Sequence, residues 1–414
     1  MKIIVQKFGG TSLKTQEDRE RAAFHVREAV GDGHKVVVVV SAMGRAGDPY
    51  ATDTLLGLVG GEQTEITDRE WDMLVSCGEV ISSVVFSNEL NKMGLKAAAM
   101  TGAQAGFRTN DEHRDAKIID MKCERLRDQL NDSDVVVVTG FQGRKKNGDV
   151  TTLGRGGSDT SAAALGAALK AEWIDIFTDV EGIMTADPRI VEEAQPLSVV
   201  TYTEISNLAH QGAKVIHPRA VEIAMQSKVP IRIRSTHSSD PGTLVTAIGN
   251  GRPGSDVQDR LITGIAHTTG VCQMKVPERE GRFDVQSVVF ETMANLGISV
   301  DMININPDGV VYTVKEENAD RAVHALKQIG YEPQAIHGCA KVSAVGAAIN
   351  GVPGVAARIV GALSAKNIRI LQSADSHTTI WVLVRQDDLA QAVNALHDTF
   401  ELNKVNNEKK TQNR

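Results

Sequence analysis

The chain has 414 residues, with 45 Lys and Arg against 52 Asp and Glu, and a formal net charge of −7. At about 150 residues per domain, this length predicts two or three domains. A 42% apolar share with 23% charged residues indicates a globular chain and excludes intrinsic disorder. The acidic balance, without a basic face or tail, argues against nucleic-acid binding. Four scattered cysteines without a CxxC pair argue against a disulfide framework or a zinc ribbon and favour a reducing compartment.

No membrane or secretion signal stands out in the sequence. The longest apolar run, Val36–Val40, is far shorter than the roughly 20 residues that span a bilayer. Met1 and Lys2 lead straight into an apolar strand pattern, with no signal-peptide cleavage pattern behind it. We therefore expect a cytoplasmic protein without a membrane partner.

The first half of the chain alternates short β-branched runs with long helical patterns. The predicted strands are Lys2–Gln6, Lys35–Val40, Leu95–Ala99, Asp134–Val138, Trp173–Phe177 and Pro230–Arg234. The predicted helices are Gln16–Val30, Asp68–Lys92, His113–Leu130 and Ser158–Lys170. Nearly continuous Val and Ile runs indicate strands that are buried on both faces. Their alternation with helices predicts an α/β fold with an open, mostly parallel sheet and helices on both faces.

The second half contains an internal repeat with a shift of 70 residues. Ala322–Leu326 (AVHAL) returns as Ala392–Leu396 (AVNAL), and the Val310–Val314 strand matches Ile380–Val384. Each unit has the pattern strand, helix, strand, strand, helix, so the gap-free register predicts a duplication. We expect two α+β units side by side, which usually serve ligand binding or association. The predicted boundaries are a first domain at 1–245, a linker at 246–260, repeat units at 261–336 and 337–402, and a polar tail at 403–414.

Glycine-rich segments that follow predicted strands mark the candidate chemistry. In Lys7–Ser12 (KFGGTS), glycines let backbone amides approach an anion, and the lysine supplies a point charge for phosphate. Alone, this segment fits a plain tight turn equally well.

In Thr151–Thr160 (TTLGRGGSDT), Ser158 or Asp159 could simply cap the next helix. Capping does not explain Arg155 between glycines, which suggests a cradle for a carboxylate or phosphate.

Two more segments carry acidic residues near helix or strand ends. Phe177–Arg189 (FTDVEGIMTADPR) leaves a strand at its carboxyl end, where open α/β sheets bind ligands. Its Asp187 and following proline fit an ordinary turn equally well. Ser76–Glu79 (SCGE) interrupts a helical pattern with a glycine before a carboxylate. Glu79 is either a surface helix residue or a partner for an ammonium group.

The segment Gly212–Arg219 (GAKVIHPR) ends at the start of a predicted helix, where Pro218 suits the first turn. Lys214 follows a glycine just before that helix and is a candidate phosphate contact. His217 is interpreted as a structural histidine in preference to a catalytic base.

Taken in order, these five segments resemble the motifs of aspartate kinases within the amino-acid kinase family. The resemblance covers nearly the whole chain, and GRGGSD together with TDVxGxxTADPR is highly specific, whereas KFGG is shared by related kinases. The repeat units resemble tandem ACT domains, which have a ferredoxin-like α+β fold and a regulatory role. The length is similar to that of a monofunctional enzyme. Ser41–Leu56 and the second repeat resemble the Bacillus-type, diaminopimelate-sensitive form.

The resemblance implies roles for individual residues. ATP would be bound by Lys7, Phe8, Gly9, Gly10, Thr178, Asp179, Met184, Arg189, Lys214 and Val215. L-aspartate would be bound by Ser41, Thr52, Glu79, Arg155, Gly156, Gly157 and Ser158. Lys7, Asp159 and Lys214 would be catalytic, with Asp159 near Mg²⁺ or the aspartate ammonium. The family often has a tyrosine where this chain has Met184.

The resemblance also implies regulation through the ACT units. An amino-acid effector is expected there, with diaminopimelate favoured over lysine or threonine, and Ser299 and Asp301 are the candidate effector contacts. The first unit has Pro277–Gly281 (PEREG) where an Asp-x-Pro-Gly turn is common, whereas the second keeps Val352–Gly354 (VPG). Because open sheet edges are normally paired or covered, the units are expected to pair between chains in a homodimer.

The reaction that the resemblance implies is transfer of the ATP γ-phosphoryl group, with Mg²⁺, to the β-carboxylate of L-aspartate. The product, 4-phospho-L-aspartate, opens the pathway to diaminopimelate and lysine, threonine and methionine. A carboxylate is ionised at neutral pH, so no general base is needed. Two alternatives remain: another amino-acid kinase, or a catalytically silent ACT sensor. The tandem ACT units and the SCGE segment weigh against the first, and intact Lys7, Arg155, Asp159 and Lys214 weigh against the second.

Overall fold

A computed structural model describes residues 1–213, 215–247, 261–278, 284–346, 349 and 352–404. The chain forms two compact units. Unit one comprises Met1–Ile183, Pro196–Ala209 and Lys214–Gln258, and unit two comprises Met184–Gln195, His210–Ala213 and Asp259–Arg414. Two short segments that precede the predicted linker in sequence therefore belong to the second unit.

Unit one combines a large sheet, a small sheet and the helices that cover them. Its strands are β1 (Ile3–Phe8), β2 (Lys35–Val40), β3 (Ala97–Met100), β4 (Phe107–Thr109), β5 (Ile118–Met121), β6 (Val135–Thr139), β7 (Gln142–Arg144), β8 (Val150–Thr152), β9 (Ile174–Thr178), β10 (Val199–Thr201), β11 (Ile231–Ser235) and β12 (Thr243–Thr246). Its helices are α1 (Gln16–Gly31), α2 (Thr52–Gly57), α3 (Asp68–Lys92), α4 (Gly102–Ala105), α5 (Glu124–Asp132), α6 (Gly157–Leu169), α7 (Tyr202–His210) and α8 (Pro218–Ser227).

The large sheet has the strand order β10-β12-β11-β9-β1-β2-β6-β3. All of its neighbouring strands are parallel except β11 and β12. The valines at 36–40 and 135–138 are fully buried, as the continuous apolar runs predict for strands covered on both faces. The predicted α/β fold with a mostly parallel sheet is confirmed. All six predicted strands are present, with ends within two residues of the expected positions.

Capping boxes fix where two long helices begin. Thr15 and Asp18 exchange hydrogen bonds at the start of α1, and Thr67 and Glu70 do so at the start of α3. Helix α3 is long and apolar enough to cross a membrane by length and composition alone. However, 56% of its most apolar window is buried inside the protein, which is typical of a core helix.

The predicted helix at His113–Leu130 is wrong over residues 113–123 and holds only from Glu124 onward. Its first part contains β5, which pairs antiparallel with β4 in the small sheet β5-β4-β7-β8, and α5 begins only at Glu124. Asp72 of α3 accepts hydrogen bonds from the backbone amide of Arg114, at 3.1 Å, and from the ring of His113, at 2.6 Å. Arg114 has a φ of 65°, which no α-helix permits. A tertiary contact thus overrides the local helical pattern.

Unit two contains the internal repeat. Its strands are β13 (Gly264–Pro277), β14 (Asp301–Asn306), β15 (Gly309–Lys315), β16 (Gln334–Val345), β17 (Gln372–Asp375) and β18 (Thr379–Arg385). Its helices are α9 (Val285–Asn295), α10 (Ala319–Gln328), α11 (Val355–Ala365) and α12 (Leu389–Thr399). The six strands form one antiparallel sheet in the order β14-β15-β13-β16-β18-β17. The predicted side-by-side α+β units are confirmed, since β13, α9 and β15 each begin 70 residues before β16, α11 and β18.

The segment Met184–Gln195 packs into unit two through both backbone and side chains. The carbonyl of Thr185 accepts a hydrogen bond from the amide of Ile265 at 2.8 Å, and its hydroxyl lies 2.9 Å from Nε2 of His397. Ala186, Val191 and Ala194 are buried in the core of the second repeat. This segment is therefore part of the folded unit and not a surface loop of the first one.

Candidate active site

A cleft of about 1220 Å³ opens in unit one at the carboxyl ends of β1 and β2, beside the start of α6. Strand β1 lies between β2 and β9, so the chain leaves it towards one side of the sheet and later returns on the other. Open α/β sheets bind ligands at such switch points. The charged side chains that line the cleft are six cations and four carboxylates: Lys7, Arg45, Arg114, Lys117, Arg155, Arg219, Asp53, Glu79, Asp115 and Asp159. The cleft is thus locally cationic in a protein with net negative charge.

Lys7 and Asp159 form a close ion pair in this cleft. Nζ of Lys7 lies 2.7 Å from Oδ1 of Asp159, and both side chains are largely buried. Oδ2 of Asp159 accepts a hydrogen bond from the backbone amide of His217 at 3.2 Å. The end of β1, the first turn of α6 and the start of α8 therefore converge on one carboxylate.

The GRGGS loop, Gly154–Ser158, leads into α6 and lines the cleft. Gly156 has a φ of 67°, and a Cβ at this position would lie 2.2 Å from the His217 ring, so only glycine fits. Arg155 is exposed, and the described residues offer its guanidinium no ion-pair partner. The loop thus presents the Arg155 guanidinium and the N-terminus of α6 to a ligand, and both favour an anionic group.

Glu79 lies buried in the middle of α3, and its side chain reaches the cleft. Oε1 accepts a hydrogen bond from the backbone amide of Ala42 at 2.9 Å, while the buried Oε2 has no hydrogen-bond partner among the described residues. Desolvation by burial raises the pKa of Glu79 to about 8. A Cβ on Gly78 would lie 2.7 Å from the Cβ of Ala42, so the glycine lets α3 approach this loop. The helix continues through the SCGE segment without a break.

Several cleft residues were not predicted from the sequence. Arg114, Lys117, Arg45, Trp71 and Phe141 all line the cleft. Arg114 stacks over the Trp71 ring at 5.0 Å, and its position depends on the contact with buried Asp72. The sequence around these residues lacks a glycine-rich signal. For Arg114, the local pattern predicts a helix that does not form there. Only the polar run at 110–117 hinted at a surface loop there.

An ion pair connects the loop after β2 with the loop after β9. Nη2 of Arg45 lies 2.9 Å from Oδ2 of Asp179, and both side chains are exposed. Arg45 lines the cleft, so this pair brings Asp179 to its border. Thr178 precedes it at the end of β9, and its carbonyl accepts a hydrogen bond from Thr236.

The structure brings most of the predicted residues together. Those that line the cleft are Lys7, Gly10, Ser41, Thr52, Glu79, Arg155, Gly156, Gly157, Ser158 and Asp159. The Phe8 ring is fully buried and stacks on Phe177 at 4.6 Å, so only its backbone can face a ligand. Gly9 lies next to Lys7, since a Cβ there would be 3.6 Å from its Nζ.

Three further predicted ATP-binding residues do not line the cleft, and a fourth falls outside the described residues. Met184 and Arg189 belong to unit two, where Met184 packs against the core of the second repeat and Arg189 bonds to Asp187 at 2.7 Å. Val215 is half-buried and does not line the cleft. Lys214 lies outside the described residues. The ATP-binding role of all ten predicted residues stays a prediction, as do the other assigned site roles.

Comparison with known proteins defines the family. Residues 2–235 match the amino acid kinase family, and residues 334–398 match the ACT domain. Aspartokinase 1 of Bacillus subtilis (strain 168) is 65% identical over 404 residues, which cover 98% of this chain and 100% of that protein. The chain belongs to the aspartokinase family. Among other aspartokinases, Aspartokinase 2 of the same organism is 39% identical over 98% of this chain and 99% of its own length.

Solved aspartokinase structures have the same fold. E. coli aspartokinase III in complex with aspartate and ADP superimposes with a TM-score of 0.77 at 26% identity, over 96% of this chain and 99% of that one. The same enzyme in complex with lysine and aspartate gives a TM-score of 0.74, also at 26% identity, over 97% and 100% of the two chains. The aspartokinase fold therefore extends over both units of this chain.

Proposed function

We propose that the cleft of unit one transfers the γ-phosphoryl group of ATP to the β-carboxylate of L-aspartate and forms 4-phospho-L-aspartate. This is the reaction of an aspartate kinase, the family to which the chain belongs. The observation that carries the proposal is the Lys7–Asp159 pair at 2.7 Å beside the GRGGS loop, in a cleft with more cations than carboxylates. ATP and aspartate are both anions, so a cationic cleft in an acidic protein favours them over neutral metabolites.

The chemistry needs positioning more than proton transfer. The β-carboxylate of aspartate has a pKa of about 3.9 in model peptides and is ionised at neutral pH, so it can attack phosphorus without a general base. Phosphoryl transfer then depends on in-line alignment and on neutralisation of charge on the phosphoryl oxygens. Lys7 supplies that charge at the end of β1, and Lys214 is proposed as a second phosphate contact.

The two ends of aspartate are assigned to opposite charges. Glu79 is proposed to bind the ammonium group, because its buried Oε2 has no hydrogen-bond partner among the residues that the structure describes and a cation would satisfy it. Arg155 is proposed to bind a carboxylate with its planar fork. Ser41, Thr52 and Ser158, which line the same cleft, would add hydrogen bonds from their hydroxyl groups. The nucleotide is assigned to the side of Lys7, Gly9, Gly10, Thr178 and Asp179.

The residues of the cleft suit Mg²⁺ carried in by ATP. Mg²⁺ keeps several waters and binds through one or two carboxylates together with substrate phosphates. Asp159 offers such a carboxylate next to the proposed phosphate lysine, and its second oxygen contacts only a backbone amide among the hydrogen bonds of the described residues. When bound, Mg²⁺ would neutralise phosphate charge.

Unit two is proposed to bind an amino-acid effector, with diaminopimelate favoured over lysine or threonine. Asp301, one proposed effector contact, begins the edge strand β14, and Ser299, the other, lies two residues before it. Nζ of Lys341 lies 2.5 Å from Oδ2 of Asp301, which leaves a mixed pair of charges for a zwitterionic ligand. Strand β14 also exposes Ile303 and Ile305, and an apolar edge strand supports the proposed pairing of units between two chains.

A hydroxylamine trap for acyl phosphate tests the proposed reaction. Full-length protein with MgATP and L-aspartate should form the hydroxamate. L-glutamate, N-acetylglutamate and nucleotide substrates should not replace aspartate. Adding diaminopimelate, lysine or threonine separately to the same assay tests regulation. A protein that forms no hydroxamate with any substrate but still binds an effector would be a silent sensor and would refute the proposal.

A further inference from the structure

Three side chains with different donor atoms converge in the first repeat. Cys272 on β13, Glu316 after β15 and His337 on β16 place one ligand atom each within 4.8 Å of one another. Nδ1 of His337 lies 2.5 Å from Oε1 of Glu316. Cys272 is fully buried, Glu316 is half-buried and His337 is exposed, so the cluster has a solvent entrance and a buried floor.

A bulge between two strands brings His337 to this place. Val271 pairs with Cys339 and Gln273 pairs with Ile336, so Cys272 alone faces the two residues His337 and Gly338. Gly338 has a φ of 64°, and its amide donates a hydrogen bond to Oε2 of Glu316 at 3.2 Å. Bulges of this kind turn a side chain away from the regular alternation and are frequent next to functional sites. Here the bulge also fixes the carboxylate.

The second repeat serves as an internal comparison. At the shift of 70 residues, Val342 corresponds to Cys272 and Gln386 corresponds to Glu316, while His267 on the partner strand corresponds to His337. His267 pairs with Val342 in regular register, without a bulge at that point. The second repeat keeps the histidine but has neither the thiol nor the carboxylate. The fold of the repeat therefore does not require them, and their presence in the first repeat calls for a separate reason.

The geometry points to a metal site for a borderline-soft divalent ion, with Zn²⁺ as the best match, formed by Cys272, Glu316 and His337. Sulfur, imidazole nitrogen and carboxylate oxygen together are a donor set that suits Zn²⁺ and disfavours Mg²⁺ and Ca²⁺, which prefer oxygen alone. Three protein ligands leave a fourth position for water or another small ligand. The ion would tie β13, β16 and the segment that leads into α10 together.

The distances require only a small closure. Zn²⁺ bonds of about 2.0–2.3 Å place tetrahedral ligand atoms about 3.3–3.7 Å apart. The Glu316–His337 pair must open slightly, and no pair must close by more than about 1 Å, which rotation of the half-buried Glu316 and exposed His337 side chains allows. Binding requires the thiolate, so the proton of the Cys272 thiol leaves to solvent as the sulfur–metal bond forms.

Cobalt titration of the untagged, full-length protein tests the site, because Co²⁺ substitutes for Zn²⁺ and reports its ligands by colour. We expect one equivalent to bind with a thiolate-to-cobalt charge-transfer band and tetrahedral d–d bands, and Zn²⁺ to displace it. Cys272→Val and Glu316→Gln introduce the residues that the second repeat has at these positions, so both variants should fold. Cys272→Val should abolish the charge-transfer band, and Glu316→Gln and His337→Ala should each weaken binding at least about tenfold. His267→Ala and Cys77→Ser are matched controls that should change neither the charge-transfer band nor the affinity for Co²⁺.

Metal-dependent unfolding gives a second, independent measurement. Zn²⁺ should raise the unfolding temperature of the wild type and of both control variants and should not raise that of Cys272→Val. Binding without a charge-transfer band, or a band that persists in Cys272→Val, would mean that the ion binds elsewhere on the surface and would overturn the assignment. No binding of Zn²⁺ or Co²⁺ at micromolar concentrations would overturn it as well.

Discussion

The ammonium of Lys7 lies 2.7 Å from a carboxylate oxygen of Asp159, and each side chain is only 13% exposed. One residue ends the first strand and the other stands in the first turn of α6, more than 150 positions later. The pair holds the lysine in the cleft before any substrate arrives. Preorganised charge of this kind lowers the cost of reorganisation during phosphoryl transfer.

Replacement of Lys7 by alanine should abolish most turnover and leave the fold intact. Removal of one preorganised group that stabilises transition-state charge typically lowers kcat by about 10²–10³. The measurement is hydroxamate formation, together with thermal unfolding to verify the fold. Lys2→Ala is the matched control, since Lys2 directly precedes the same strand and its exposed side chain pairs only loosely with Glu172 at 3.8 Å. Turnover near the wild-type value in Lys7→Ala would contradict the assigned role.

Glu79→Gln should weaken aspartate binding and leave the KM for ATP nearly unchanged. Loss of a charged partner in a buried site costs roughly 2–5 kcal/mol. Burial raises the pKa of Glu79 to about 8, so the Glu79 carboxyl of the free enzyme is mostly protonated at pH 6–7. The carboxyl must lose this proton to pair with an ammonium group. The KM for aspartate should therefore fall as the pH rises from 6 towards 8 in the wild type.

That pH dependence should disappear in Glu79→Gln, and steady-state kinetics at several pH values will show whether it does. Glu89→Gln, a nearly buried carboxylate of the same helix that pairs with Lys92, is the control and should keep the wild-type profile. A weaker affinity for ATP with unchanged aspartate binding would mean that Glu79 lies at the ATP site and not at the aspartate site.

The same substitution should stabilise the ligand-free protein at alkaline pH. The pKa of Glu79 is higher in the folded state than its ordinary value of 4.5, so its contribution favours folding at low pH and is lost as the pH rises to about 8. Glutamine carries no charge to desolvate, so at pH 8.5 the free energy of unfolding of Glu79→Gln should exceed that of the wild type by on the order of 1–3 kcal/mol. Denaturant titration measures this difference. At pH 5 the difference should be much smaller. An equal effect at both pH values would exclude titration of Glu79 as its cause.

Arg155→Lys should raise the KM for aspartate, because an ammonium cannot reproduce the two parallel bonds of a guanidinium. The effect on folding should be negligible, since the Arg155 side chain is exposed and makes no ion pair with the described residues. Arg21→Lys on the surface of α1 is the control. Unchanged aspartate kinetics in Arg155→Lys would exclude a bidentate contact, and Arg155→Ala would then show whether any charge is needed there.

Deletion of Leu261–Arg414 should give an insoluble protein or a kinase that no effector inhibits. The truncation removes the core that buries Ala186, Val191 and Ala194, so the segment Met184–Gln195 would expose apolar surface. The solubility of the truncated chain and hydroxamate formation with each effector present are the measurements. A soluble truncated enzyme that remains fully inhibited by an effector would place the regulatory site in unit one.

The sequence alone determined the local architecture of this protein and the position of its glycine-rich loops. Unbroken valine runs can only be strands covered on both faces, and a 70-residue register can only repeat a whole folding unit, so the sheet and the duplication were predictable. The tertiary structure decided what meets across the chain. Asp72 of α3 holds His113 and Arg114 in a non-helical loop, although the local pattern predicts a helix there. Gly78 lets α3 approach Ala42, and burial raises the pKa of Glu79. The proposed metal ligands come from two strands and the segment after a third, so no spacing rule could find them. Local patterns follow from neighbouring residues, whereas burial and convergence depend on contacts between residues distant in sequence.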